Sequence, residues 1–142
     1  MTFPAEMRIG SLEILGALAV FGAIVGRRRF TPAPRLPQDI GLVLAVNDRV
    51  VELTVSEGQP PRIVGRSSDA DVPLADPESS RGHAALQAAG GALFITDLGS
   101  RNGTFLNGKR LSAEGIEVKS GDHIDVGNTR IEVIEAQALP WP

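Results

Sequence analysis

From Ile40 onward, apolar and polar residues alternate over short runs, and no stretch carries a 3.6-residue apolar period. Gly41–Val46 is apolar, turns at Asn47-Asp48 and returns as Arg49–Val55, which predicts a hairpin. After a loop over Glu57–Pro61, Arg62–Gly65 and Asp71–Leu74 are predicted as further short strands, followed by a loop at Asp76-Pro77-Glu78. Ala84–Ala88 and Ala92–Asp97 pair across Gly90-Gly91, and Thr104–Leu106 turns at Asn107-Gly108, a strong hairpin signal. Gly115–Val118, His123–Val126 and Arg130–Glu135 complete the set, with Ile124, Val126, Ile131 and Val133 at alternating inward positions. Nine to eleven short strands within residues 40–136 predict an all-β fold, an antiparallel β-sandwich. Residues 137–142 read as a tail with a frayed end, carrying Trp141, the chain's single Trp.

The pattern upstream is different. Ile9–Gly26 reads IGSLEILGALAVFGAIVG, with Glu13 near its start as the one charge. As a helix rising about 1.5 Å per residue it approaches a bilayer core of about 30 Å. Arg27, Arg28 and Arg29 follow at once, with Arg35 behind, whereas the other flank has Arg8 beside Glu6. The positive-inside bias predicts one transmembrane helix over 9–26 at the cell membrane, with the C-terminal body cytoplasmic. A cleaved signal peptide places its positive charges before the apolar run, and here they come after it. A helix lying in the interface, or packed on a partner, is the alternative. Gly22 and Gly26 form a GxxxG spacing that permits a homodimer by close helix approach, although one such pattern is a weak signal. Residues 1–8 are then an N-terminal tail, and 27–39 a basic, Pro-rich linker whose prolines favour extended chain. Thr31 is the one hydroxyl residue of its Phe30–Gln38 stretch and reads as a linker residue rather than a kinase site.

Composition narrows the chemistry. The chain has no Cys, which removes disulfides, thiolate zinc sites and Cys nucleophiles. With two His besides, neither a metal site nor a cofactor is expected. The formal net charge of -3 is unevenly spread: residues 1–39 are basic on balance, and residues 40–142 are acidic. An acidic body lacks the field that draws proteins to nucleic acid, so no nucleic-acid role is expected. Any anion site must be a local basic pocket.

Three polar clusters supply one. They are Gly65-Arg66, Ser80-Arg81-Gly82-His83 and the run DLGSRNGTFLNG from Asp97 to Gly108. Each is flanked by strand-like sequence, so they can meet at one end of a sandwich. Together they offer guanidinium, hydroxyl and amide groups, which suit holding an anion such as a phosphate. Ser80, His83 and Asp97 can be drawn as a catalytic triad, but Ser80 and His83 are close in sequence and no nucleophile elbow surrounds Ser80, so no enzyme is expected.

The ordered set Gly65-Arg66, Ser80-x-x-His83 and Asn102-Gly103-Thr104 resembles the forkhead-associated (FHA) family over about residues 40–136. The resemblance implies an eleven-stranded sandwich whose loops at one end bind phosphothreonine peptides. It implies that Arg66 and the Ser80 hydroxyl hold the phosphate, that Arg81 adds charge, and that Asn102 grips the peptide backbone. It implies that Gly65, His83, Gly103 and Thr104 support the binding loops. Many relatives have Thr immediately before this Asn, and here Arg101 stands instead, either adding charge to the pocket or pointing outward. The chemistry fits: a phosphate monoester carries about −1.5 to −2 charge and three acceptor oxygens, and Arg offers a fork of donors. The function so implied is a membrane-tethered phosphothreonine-binding adaptor in Ser/Thr kinase signalling, with kinase substrates as partners. A phosphate-independent interaction module of the same fold is the alternative.

Overall fold

The computed structural model describes residues 36–140. Eleven strands run through them: β1 (Asp39–Val46), β2 (Arg49–Ser56), β3 (Arg62–Gly65), β4 (Val72–Pro73), β5 (Ala84–Ala89), β6 (Ala92–Asp97), β7 (Thr104–Leu106), β8 (Lys109–Arg110), β9 (Ile116–Val118), β10 (His123–Val126) and β11 (Thr129–Ala138). They form a six-stranded sheet in the order β2-β1-β11-β10-β7-β8 and a five-stranded sheet in the order β4-β3-β5-β6-β9. The apolar faces of the two sheets enclose one core. Ile40, Leu42, Leu44 and Val46 of β1 meet Ile124, Val126, Ile131 and Val133 in one wall. Val64, Leu86, Leu93 and Ile95 line the other. Fully burying a side chain of this size contributes about 1.5–3 kcal/mol, so this alternation is what closes the sandwich.

Two turns carry the left-handed backbone their residues tolerate. Asn47 has φ 53° in the β1–β2 turn, while Asn107 and Gly108 have φ 51° and 83° between β7 and β8, as a two-residue hairpin requires. Asn107 does more than turn the chain: its side chain donates to Asp122 Oδ1 (3.0 Å) and accepts from His123 N (3.0 Å).

Three features depart from expectation. The sheets are not wholly antiparallel, because β3 and β4 pair in parallel. Asp71 explains it: its carboxylate accepts from Ile63 N (2.8 Å) and the Arg62 guanidinium (3.2 Å), pinning the start of β4 beside the start of β3. Pro73 fits there because β4 is an edge strand with no outer ladder to supply. Lys109–Arg110 forms a strand of its own after the hairpin turn. The last strand runs three residues beyond Glu135, and Gln137 and Ala138 pair with Gly41 and Ile40 rather than forming a tail. That extension comes with a register shift at Val43/Leu44 that leaves Ile134 unpaired and 52% exposed.

The apolar run at 9–26, the Gly22/Gly26 spacing, Arg27–Arg29, Thr31 and Trp141 lie outside the described residues. Among the described residues no helix is long and apolar enough to cross a membrane.

Candidate functional site

Four connections converge at one end of the sandwich: 66–71, 74–83, 98–103 and the 127–128 turn. Gly65 makes the first junction possible. A Cβ there would overlap the Arg81 carbonyl and come within 2.8 Å of the Ser80 carbonyl oxygen. The space it leaves lets Arg66 N donate to Ser80 O (2.9 Å) and Ser67 N donate to Arg81 O (3.2 Å). The Arg66 side chain then turns along the same segment, and its Nε donates to Ser79 O (3.2 Å). Its two terminal nitrogens have no partner among the described residues and remain at the exposed rim. The Ser80 hydroxyl oxygen accepts from Arg101 N (3.2 Å), which leaves its own hydrogen uncommitted among the described residues. Arg66, Ser80 and the 98–103 loop are therefore brought together. The Arg81 and Arg101 side chains are exposed and make no ion pair among the described residues.

Asn102 is placed by a different contact. Its Nδ2 donates to the Glu78 carbonyl oxygen (2.8 Å) and lies 3.3 Å from Glu78 Oε2. Both amide hydrogens thus face Glu78, while Oδ1 has no partner among the described residues.

His83 is fully buried beneath these loops. Its Nδ1 accepts from Ser80 N (3.0 Å), so the hydrogen sits on Nε2, which donates to Gly103 O (2.8 Å). One ring joins the 80 loop to the 103 loop. This is not triad geometry: the bond runs to the backbone of Ser80 rather than its hydroxyl, and Asp97 Oδ1 is 4.0 Å from Nε2. Asp97 instead organises its own loop, accepting from Ser100 N (3.0 Å), Ser100 Oγ (2.5 Å) and Thr104 Oγ1 (2.7 Å). Burial pushes the Asp97 carboxyl up, and the bonds from Ser100 and Thr104 outweigh it, leaving the group below the usual carboxylate range. Ser100 Oγ in turn accepts from Gly103 N (2.9 Å), and Gly103 takes φ 83°.

Two contributors escape sequence reading. Asp76 is buried and holds the Glu78–Ser80 segment from below. Its carboxylate accepts from Glu78 N (2.9 Å), Asn128 N (2.7 Å) and Thr129 Oγ1 (2.8 Å). Burial raises its pKa, and these bonds more than reverse the shift. The Asp-Pro pair advertises a turn, but nothing local announces partners more than fifty residues away. Arg110 is the other: its guanidinium packs over Gly103, where a Cβ would come within 2.9 Å of Nε. The Asn107-Gly108 hairpin signal could have placed it, because that turn sets Arg110 opposite Phe105.

No buried side-chain polar atom among the described residues lacks a hydrogen-bond partner, so the loops are held in place without a ligand. A groove of about 450 Å³ lies elsewhere, on the outer face of the six-stranded sheet beside Gly41, Val43 and Leu139. Size does not decide the matter, because an anion at an open rim needs converging donors rather than a deep cavity. The donors converge at the loop end.

Known proteins share the fold. The family model described as FHA domain matches residues 62–127, which contain the 66–71, 74–83 and 98–103 connections. The FHA domain-containing protein FhaB of Mycobacterium tuberculosis is 27% identical over 124 residues, covering 87% of this chain and 76% of that one. An FHA domain solved in a study of phosphothreonine-dependent interactions superposes with a TM-score of 0.56 at 27% identity, covering 71% of this chain and 99% of that chain. The FhaA FHA domain, solved in complex with the intracellular domain of Rv3910, gives 0.56 at 29% identity over 65% and 98%. On motif, family model and fold together, residues 62–127 of this chain match the FHA domain family.

Proposed function

We propose that this chain is a phosphothreonine-reading adaptor in Ser/Thr kinase signalling, tethered to the cell membrane by residues 9–26 with its body in the cytoplasm. One observation carries the reading. Arg66 is anchored through Nε to Ser79 O, so its terminal nitrogens stand free beside a Ser80 hydroxyl whose hydrogen is also free. A phosphate monoester placed there would meet a charged fork and a hydroxyl donor, neither committed elsewhere among the described residues. Arg81 and Arg101 add charge at the rim, and Asn102 Oδ1 is left to accept from a peptide N–H. Relatives solved in phosphothreonine-dependent work support the ligand class. The partners are proteins phosphorylated by a Ser/Thr kinase. The tether rests on the apolar run and its Arg-rich flank, and Gly22 and Gly26 offer a homodimer face within it.

Calorimetry of the full chain in mild detergent, against peptides matched except for Thr, phosphoserine or phosphothreonine, tests the ligand. Tight binding of the phosphothreonine form is expected, and equal binding of all three rejects the reading. Arg66→Ala should weaken the phosphothreonine peptide by about ten- to a hundredfold, the loss of charge-assisted bonds of roughly 1.5–3 kcal/mol. A phosphate-independent module would keep its partner in that variant.

A further inference from the structure

Glu78 is an exposed acidic residue on the Asn102 side of the loop cluster. Its backbone is fixed three ways: its N–H donates to Asp76 Oδ1 (2.9 Å), its carbonyl accepts from Asn102 Nδ2 (2.8 Å), and the chain at Gly127 approaches so closely that a Cβ would lie 2.9 Å from the Glu78 carbonyl carbon. The side chain is exposed, and its carboxylate has no ion-pair partner among the described residues. Oε2 sits 3.3 Å from the same Asn102 nitrogen, at the long end of a hydrogen bond. Arg101 N donates to the Ser80 hydroxyl (3.2 Å), Arg66 N donates to the Ser80 carbonyl (2.9 Å) and Arg81 follows Ser80 in the chain, whereas the Glu78 carboxylate lies at Asn102. Asp69, the other exposed carboxylate nearby, stands across the cluster in the depression beside Arg81.

From this arrangement, and resting on the phosphothreonine reading above, we infer that Glu78 sets the flanking-residue preference of the site. It favours segments carrying Lys or Arg within a few residues of the phosphothreonine and rejects Asp or Glu at the same place. A cation there pairs with the unpartnered carboxylate. Pairing also draws Oε2 off Asn102 and frees an amide hydrogen for a peptide carbonyl. An anion there meets uncompensated repulsion and leaves Asn102 occupied. The site therefore combines attraction for the phosphate with discrimination among its neighbours.

The test is a positional scan on the full chain. Phosphothreonine peptides carry Lys or Glu at each of the three positions on either side, and Kd ratios are compared for wild type, Glu78→Gln, Glu78→Lys and Glu135→Gln. At one position the wild type should prefer Lys by about two- to fivefold more than Glu78→Gln does, the scale of an exposed ion pair. Glu78→Lys should invert the preference there. Glu135→Gln, which removes a carboxylate from the outer face of the six-stranded sheet, should keep it. Thermal melts of the Glu78 variants should match wild type, because the backbone contacts do not use the carboxylate. Identical Lys-to-Glu ratios across all four proteins, with phosphate dependence intact, overturn the role of Glu78 alone. Loss of phosphate dependence in the wild type removes the adaptor reading, and this inference with it.

Discussion

At Arg66 one guanidinium nitrogen bonds the Ser79 carbonyl, and the terminal two have no partner among the described residues. A similar division recurs at Ser80, whose oxygen accepts from Arg101 N while its hydrogen stays available. Each side chain is held by one end and offered by the other. These residues were legible in the sequence because they sit in short motifs with a fixed order. Asp76 was not, because its meaning comes from Asn128 and Thr129, which only folding brings near. The buried Asp76 and half-buried Asp97 carboxyls also separate binding from stability in pH. The phosphate loses its second charge below about pH 6, so peptide affinity should fall there. Asp76 and Asp97 are depressed in the folded state relative to 3.8, so the stability they contribute is present above that pH and is lost as pH falls through their lower folded values. Between about pH 6 and 4 the domain should bind less tightly yet stay folded. Calorimetry and urea midpoints measured side by side across that range check this, and Asp76→Asn should flatten the acid limb of the stability curve.

Among the elements, β1 and β11 matter most. They pair along nearly their whole length inside the six-stranded sheet; β1 buries every second residue, and β11 does so from Thr129 to Val133. Ile131→Ala on β11 should therefore cost about 2–5 kcal/mol of stability, read from urea midpoints. Amide exchange should be slowest in these strands and faster at the edges β4 and β8. Strand positions were largely legible, since period-two alternation and Asn-Gly turns are local signals. The parallel β3–β4 pair and the last residues of β11 were not. The first depends on Asp71 reaching back to Ile63, and the second on Ile40 and Gly41 offering a partner ladder. Neither contact is visible in the alternation of the strand itself.

For the molecule as a whole, charge and anchoring separate two roles. Residues 40–142 are acidic on balance, yet the loop cluster presents Arg66, Arg81 and Arg101. Such a local basic patch on an acidic body draws a doubly charged ester over short range, while the surrounding charge discourages nonspecific polyanions. Tethering would raise the effective concentration of this patch toward targets at the same surface. In fractionated cells the full chain should resist carbonate extraction, and a chain beginning at residue 36 should be released. Release of both removes the tether without touching the loop chemistry.

The antiparallel register of β1 and β11 also has a mechanical consequence. Asp39 and Ala138 lie at the same end of that pair, and Leu139 N donates to Asp39 O (2.8 Å). A pull applied between these two points loads the ladder one hydrogen bond at a time rather than all in parallel, because the bonds lie perpendicular to the strands. Under force the sheet should unzip from that end at low load, which single-molecule stretching between residues 39 and 138 reads directly.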